Sequence, residues 1–330
     1  MQAVMRAARR RVLSPGAPAR LLDACGFHRK DRSTQELLEQ IVRSFLAGYG
    51  AATGARGPAD AQPALQVAPP RFRGFAYEGA ATGFALRDGL PFGRHDLFQE
   101  FADGPAADHD QSAYAGLGWA MARLPRARWA RPDRLDPLLR WLALDGYGFH
   151  QACFQTRRYV SGQTQEARFP WPGGDTPDGY PNRAIDQGIG RGLWFVAGAD
   201  PGRVTALTCS FPPHRRADLY GGAGFAATYA GGASADELTR FREDSGEHCG
   251  QVALGSAFAA RARVRARSVG PETELATEVL CAVSPAAAAR LTQDLRPDPA
   301  DVDDHGAGEP AYETWRQRVA SALVPGGARR

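Results

Sequence analysis

The chain has 330 residues, of which 43% are hydrophobic and 23% charged, and its formal net charge is +4. This length and composition are typical of a soluble globular protein with a sizeable core. The mild net charge and the absence of a basic stripe or a known motif argue against nucleic-acid binding.

The cysteines and the apolar stretches bear on where the protein is found. The five cysteines are widely spaced without a CxxC motif, so neither a disulfide framework nor a zinc ribbon is indicated. The basic N-terminus lacks the apolar segment of a secretory signal. The most apolar stretch, GLWFVAGADPGRV, is interrupted by Asp200 and Pro201 well short of the ~20 residues that span a membrane. We therefore expect a cytoplasmic protein.

Helix signals dominate along the chain. Ser33 with Glu36 predicts a capping box before LLEQIVRSFLAGY, and Ser234 with Glu237 repeats that pattern. Proline in the first turn opens further helices after Asp136 and Ser284. Apolar residues three and four apart predict a C-terminal helix in EPAYETWRQRVASALV. Because alternating strand patterns are scarce, we predict an all-α fold.

Glycine and alanine recur three or four residues apart in several predicted helices, as in YEGAATGFAL and YGGAGFAATYAGG. Glycine in a helix interior costs about 1 kcal/mol relative to alanine. The pattern therefore indicates close approach between helix backbones or space for a ligand, and plain tight packing is the simpler interpretation.

The sequence also predicts an internal duplication. PPRFRGFAYEGAATGFALRDG, from Pro69, and PPHRRADLYGGAGFAATYAGG, from Pro212, match at positions separated by 143 residues, among them Tyr77 with Tyr220. Upstream, the alignment pairs the following residues of the two halves: Glu39-Gln40 with Asp186-Gln187, and Arg43 with Arg191. We expect internally duplicated helical repeats that pack about a pseudo-twofold axis, closed on one side by the C-terminal helix.

The duplication divides the chain into four parts. These are an N-terminal arm (1–25), a first helical half (26–145), a second helical half (146–295), and an acidic linker with the C-terminal helix (296–330). The second half contains a Pro/Gly-rich insertion, 161–182, with Phe169 and Trp171 as aromatic anchors. Loops of this length inside a compact domain are usually functional or disordered.

A Gly-Phe-His tripeptide occurs twice, at Gly26–His28 and at Gly148–His150. Cys25 and Cys153 each lie three residues from one of these histidines, a spacing that zinc ligands can have. The order of thiol and histidine is inverted between the two copies, and no further pair completes a site, so no metal site is predicted. Since each copy precedes the acidic-Gln helix of its half, the tripeptide indicates a shared structural role.

Motifs for nucleophilic catalysis and cofactor binding are missing. No GxSxG sequence is present, and GIGRGLWF lacks both a preceding strand and the GK[ST] of a phosphate-binding loop. We therefore predict no cofactor.

The candidate site is a polar set within the apolar helices of the second half. Charged groups in such a setting are normally paired or hydrogen-bonded. They could line a cavity between the halves, with His150 or Asp186 as general acid or base. The candidate catalytic residues are His150, Asp186, Asp145 and Tyr147, and the candidate ligand-binding residues are Trp141, Gln187, Arg191, Trp194, Trp171 and Tyr220. A structural network that anchors the repeat is the alternative, which apparent first-half counterparts such as Arg43 favour.

Four phrases carry a family resemblance: LDPLLRWLALDGYGFH, RAIDQGIGRGLWFVAGADP, FPPHRRADLY and GFHRKD followed by RSFLAGY. In these phrases the sequence resembles the uncharacterised UnbL-like family, which is encoded in actinobacterial enediyne gene clusters. The resemblance runs from about Leu13 to Val324. It implies a role in making the enediyne core, beside an iterative polyketide synthase and two other accessory proteins, one of them membrane-embedded. It transfers no catalytic residues.

Two functional hypotheses follow. In the first, the protein is an enzyme, or an enzyme subunit, that acts on the linear polyene made by the polyketide synthase. In the second, it is a non-catalytic scaffold or binding protein that shields this intermediate, or docks the synthase and its membrane partner. Either form could be a homodimer. The missing cofactor motifs favour the second hypothesis, and the polar set favours the first.

Overall fold

The computed structural model describes residues 26–91, 96–298, 302 and 309–323. Over these ranges it contains fourteen α-helices, several short 3₁₀ turns, one π-helical turn and no strand, which confirms the all-α prediction. The predicted N-terminal arm and most of the acidic linker lie outside the described residues.

The helices are numbered in chain order. The first five are α1 (Arg32–Gly54), α2 (Pro58–Gln66), α3 (Pro70–Asp88), α4 (Leu97–Asp103) and α5 (Asp110–Met121). After two 3₁₀ turns come α6 (Trp141–Phe154), α7 (Tyr180–Val196), α8 (Pro201–Ser210), α9 (Pro213–Ala230) and α10 (Ala235–Asp244). The last four are α11 (Cys249–Arg265), α12 (Pro271–Cys281), α13 (Pro285–Asp294) and α14 (Ala311–Leu323).

The long helices pack side by side in the order α1, α3, α5, α6, α7, α9 and α11, and the last three helices pack on α11. Glycines make these contacts close. A Cβ atom on Gly79 of α3 would lie 1.9 Å from the carbonyl oxygen of Phe45, and one on Gly222 of α9 would lie 1.8 Å from that of Gln187. The Gly/Ala-rich segments therefore serve backbone approach between helices, as the packing interpretation predicts.

Helix starts follow the predicted residues with two corrections. The helix predicted to open after Asp136 begins only at Trp141, because residues 137–140 form turns. The Ser234 and Glu237 capping box is present at α10, and the Ser284 hydroxyl accepts a hydrogen bond at the start of α13. The predicted capping box at Ser33 is wrong. Asp31 caps α1 instead, because its carboxylate accepts the backbone N–H of Thr34 at 2.7 Å.

Some residues separated by 143 positions have matching local contacts. Arg73 donates to the main-chain carbonyls five and seven residues before it, and Arg216 does the same in the second half. Tyr77 and Tyr220 each lie against a histidine in the 3₁₀ turn that precedes the next long helix, α5 or α11. A duplication requires such repeated contacts, and duplication of complete halves stays a prediction.

The upstream part of the alignment is wrong. A Cβ on Gly79 would meet the main-chain nitrogen of Tyr49 at 3.0 Å, and one on the matching Gly222 would meet that of Arg191 at 2.8 Å. Tyr49 and Arg191 therefore occupy comparable positions, 142 residues apart, whereas the alignment paired Arg191 with Arg43 at 148. Arg43 lies half-exposed in a surface ion pair, and Arg191 is buried, so Arg43 is not its counterpart.

The two Gly-Phe-His tripeptides also differ in structure. Gly26 has a φ of 65° in a turn before α1, and the main-chain N–H of His28 donates to Val196 at the end of α7. The second copy lies inside α6, and the inserted loop separates α6 from α7. The shared structural role predicted for the two copies is therefore wrong, because one copy is irregular chain and the other is buried helix.

Candidate functional site in an aromatic cavity

An apolar cavity of about 260 Å³ lies between α1, α3, α5 and α6. Its aromatic wall consists of Phe27, Phe45, Phe75, Trp119, Phe149, Phe154 and Phe195. Three aliphatic side chains of α1 complete the apolar lining, namely those of Ile41, Val42 and Leu46. The residues with polar or sulfur atoms in its lining are Glu78, Thr82, Arg123, His150 and Cys153.

Helical spacing brings the rings together. Ile41 and Phe45 lie four residues apart on α1, so both face the cavity, and His150 and Phe154 have the same spacing on α6. The Trp119 ring of α5 lies between these two helices, with its centroid 4.6 Å from that of Phe45 and 5.3 Å from that of His150. The result is a cavity with flat aromatic walls.

Glu78 is the acidic residue of this cavity. It lies in α3 with 1% of its surface exposed, and neither carboxylate oxygen has a hydrogen-bond partner among the described residues. The nearest cation is Arg191, whose Nη2 lies 3.8 Å from Glu78 Oε2. Burial raises the pKa of Glu78 from 4.5 to about 7, and the attraction of Arg191 offsets only part of this effect.

Arg191 is engaged mainly by a second carboxylate. Its Nη1 donates to Asp145 Oδ1 at 2.5 Å, and its guanidinium lies 5.0 Å from the ring centroid of Phe149 and 4.6 Å from that of Phe225. One guanidinium therefore faces two buried carboxyl groups. Asp145 has the hydrogen bond, so Glu78 is the carboxyl that can exchange a proton near neutral pH.

His150 is a second titratable residue in the lining of the cavity. The imidazole lies between Trp119 and Phe154, and its Nδ1 is buried without a hydrogen bond in the described part of the chain. Burial lowers the pKa of His150 from 6.5 to about 4, so the ring is neutral at physiological pH. A neutral imidazole can donate through one nitrogen and accept through the other.

The predicted site residues do not form one cluster. Asp186 lies away from the cavity, where both of its oxygens accept from Arg215 at 2.9 and 2.5 Å. Arg215 also donates to the main-chain carbonyl of Gln163 in the inserted loop. Burial raises the pKa of Asp186 to about 6, but its bidentate pair indicates a structural anchor for the loop.

Gln187 belongs to another network. Its amide donates to Asp218 at 3.0 Å, and Asp218 also accepts from Arg316 of the C-terminal helix at 2.8 Å. Arg316 in turn donates to Glu313, so this group fastens α14 to α7 and α9.

The predicted aromatic ligand-binding residues are core residues outside the cavity. Trp141 packs against Tyr180, with ring centroids 4.8 Å apart, and Trp194 donates to a main-chain carbonyl beyond α9. Tyr147, a predicted catalytic residue, contacts the loop anchor Phe169. The last two, Trp171 and Tyr220, are buried as well.

Glu78 was missed by sequence reasoning, although a signal was present. It is the one charged residue in YEGAATGFAL, an otherwise uncharged stretch of a Gly/Ala-rich helix. At the offset of 143 residues its counterpart is Gly221, so the carboxyl belongs to one half alone. Glu78 was not among the candidate residues because these were chosen from the polar set of the second half. Among the predicted site residues, His150 lines the cavity, and Asp145 and Arg191 lie behind Glu78.

Comparison with known proteins gives a family. Residues 4–323 match the model of a family described as a protein of unknown function, DUF1702. The chain belongs to the DUF1702 family. Comparisons of this DUF1702 chain with curated proteins and with solved structures gave no match.

The corresponding space in the second half of this DUF1702 protein is filled by its own chain. A Cβ on Gly221 would lie 3.0 Å from Arg316 Nη2, and the Trp315 ring packs on Phe258 with centroids 4.7 Å apart. Helix α14 therefore occupies the face of α9 that corresponds to the Glu78 face of α3. The aromatic cavity is lined from both predicted halves, for example by Phe75 of α3 and Phe149 of α6, whereas Glu78 comes from the first half.

Over the described ranges, no three His, Cys, Asp or Glu side chains come close enough together to hold a metal ion. No helix in the described part of the chain has the length and apolar character needed to cross a membrane.

Proposed function

We propose that this DUF1702 protein is an accessory protein of enediyne biosynthesis that binds the linear polyene or polyketide intermediate of the pathway in the aromatic cavity. The pathway rests on the resemblance carried by phrases such as LDPLLRWLALDGYGFH. The observation that supports binding is the cavity itself, with seven aromatic side chains in its wall.

A conjugated chain matches this wall in shape and polarity. Polyenes are flat and apolar, and aromatic faces stack on flat π systems with a gain beyond the area that they bury. Ligand cavities usually combine an apolar lining with a few polar groups that orient the ligand. Here those groups are Glu78, His150 and, at the exposed edge, Arg123.

The Glu78 carboxyl, which is buried without a hydrogen bond among the described residues, favours an enzyme over a passive carrier. A surface feature favours the alternative, a non-catalytic scaffold. The segment 126–134 carries four exposed arginines, which suit an acidic surface of the synthase or of the membrane-embedded accessory protein. The four are Arg126, Arg128, Arg131 and Arg134.

The test of binding fills the cavity. Val42 of α1 lines the cavity, and its neighbour Arg43 lies half-exposed in a surface ion pair. Purified wild type, Val42→Trp and the matched control Arg43→Trp are titrated with the linear polyene, and the shift of its absorption band is followed. We expect Val42→Trp to weaken binding at least tenfold, about 1.4 kcal/mol, and Arg43→Trp to change it less than twofold.

Equal affinities for the two variants would contradict binding in this cavity. The scaffold alternative is tested in parallel by replacing the four exposed arginines with serine and measuring co-purification with the synthase and the other accessory proteins. Loss of co-purification with unchanged polyene binding would favour the scaffold.

A further inference from the structure

We infer that the aromatic cavity is a proton-transfer site, in which Glu78 moves a proton between two carbons of a conjugated ligand that carries a carbonyl group. This reaction type rests on the proposed function, because it needs a conjugated ligand in the cavity. It deepens that function by naming an isomerisation, that is, a shift of double bonds along the chain.

The placement of Glu78 is the first observation. The buried acids of the second half are all tied by hydrogen bonds, as Asp186 is to Arg215 and Asp218 is to Arg316. Glu78 is as deeply buried as these acids, yet both of its oxygens lack hydrogen bonds and its side chain lines the cavity. Burying an unsatisfied carboxyl is costly, and a structural role does not require it.

The surroundings of Glu78 are the second observation. Arg191 lies 3.8 Å from one oxygen, at ion-pair distance but beyond a hydrogen bond, and Asp145 holds that guanidinium in place. Thr82 adds rigidity, because its hydroxyl lies within hydrogen-bond distance of the main-chain carbonyls of Glu78 and Gly116 and so links α3 to α5. Arg191, Asp145 and Thr82 act as positioning residues.

The chemical step needs no oxidant or reductant. The Glu78 carboxylate removes a proton from an sp³ carbon next to the conjugated chain, and that C–H bond breaks. The electron pair delocalises through the double bonds onto the carbonyl oxygen and gives an extended enolate. Protonated Glu78 then returns the proton to another carbon of the chain, a new C–H bond forms, and the double bonds have moved. Atoms and electrons balance, and the enzyme is regenerated.

His150 is suited to the enolate oxygen. It lines the same cavity as Glu78 from α6, which packs on the opposite side of α5 from α3, and its neutral ring has one N–H group. A donor in an apolar, water-poor site stabilises developing negative charge more strongly than it would in water. Glu78 and His150 thus divide the roles of acid–base and hydrogen-bond donor.

The experiment uses a linear trienone, a methyl ketone conjugated to three double bonds, as the probe in heavy water. Deuterium uptake at the CH₂ group next to the triene is followed by mass spectrometry, and binding is measured separately by the absorption shift. We expect the wild type to exchange this position faster than buffer. Glu78→Gln should bind the probe within threefold of wild type and exchange at least 100-fold more slowly, the usual contribution of a general acid or base.

Each outcome decides between the two proposals. If the wild type binds the trienone but exchanges no faster than buffer, or if Glu78→Gln exchanges like the wild type, proton transfer is overturned and the binding function survives. If no trienone binds, both fail. Should Glu78→Gln not fold, the wild-type rate is measured from pH 5 to 9. A transition near pH 7 supports Glu78, and a flat profile overturns the inference.

Discussion

The buried carboxyl of Glu78 makes a prediction about stability that is independent of any ligand. Its pKa is raised from 4.5 to about 7 in the folded chain, mainly by burial. A raised pKa means that the folded state prefers the protonated form. The favourable contribution of the protonated carboxyl is complete below pH 4.5 and is lost as the pH rises through 7.

The magnitude follows from the two pKa values. Each unit of difference corresponds to about 1.4 kcal/mol, so the interval from 4.5 to about 7 amounts to about 3 kcal/mol of unfolding free energy. Glu78→Gln removes this titration. The free energy of unfolding of the variant, taken relative to wild type, should therefore rise by about 2–3 kcal/mol between pH 5 and pH 8, because part of the full difference is already lost at pH 5.

Urea unfolding of both proteins at several pH values measures this difference, and subtraction removes the contribution of groups that both share, such as Asp186. Asp31→Asn is the control. The hydrogen bond from Thr34 lowers the pKa of Asp31, so its contribution is lost only as the pH falls below the ordinary value of 3.8. Its difference from wild type should stay constant above pH 5. A difference for Glu78→Gln that changes by less than ~0.5 kcal/mol over the same interval would refute the reasoning.

Three other predictions, the first with a control substitution, test packing and the assignment of structural roles. Gly190→Ala should destabilise the protein by about 3 kcal/mol or more, because the new Cβ would lie 2.0 Å from a carbonyl oxygen of α9. The control Gly50→Ala has open space around the new Cβ and should stabilise the protein by about 0.5–1 kcal/mol. Equal melting temperatures for the two variants would contradict the close approach of α7 and α9. Asp186→Ala leaves Arg215 buried without its partner and should cost about 3–5 kcal/mol, so a variant as stable as wild type in urea would argue against the structural assignment. Trp315→Ala should cost about 3–5 kcal/mol, because the ring is 1% exposed, and calorimetry showing an unchanged melting temperature would exclude a packing role for α14.

Most of the sequence predictions that rested on local signals agree with the structure. The C-terminal helix has Tyr312, Trp315, Val319 and Leu323 on one face, and all four are buried in the structure. The loop anchor Phe169 is buried, as predicted. Periodicity, caps and turn residues act over a few positions, so they can be recognised without knowledge of the fold.

The candidate site was predicted only in part. Of the proposed residues, His150 lines the cavity, and the sequence alone indicated that its helix is apolar. Asp186 looked similar in sequence, yet it is paired with Arg215, and nothing in the local pattern separates the two cases. The alignment paired Arg43 with Arg191 because both begin short segments of similar sequence, although the two residues occupy different positions in the fold.

The sequence by itself determined the all-α class and the positions of most helices, because these depend on contacts within about four residues. The tertiary structure decided which buried charges are satisfied. Arg191 donates a hydrogen bond to Asp145 of α6, and Glu78 of α3 has no hydrogen bond within the described part of the chain. These helices come together only because distant parts of the chain pack against one another. Whether a buried carboxyl is hydrogen-bonded depends on such long-range contacts, so Glu78 could be recognised as a candidate functional residue only in the folded protein.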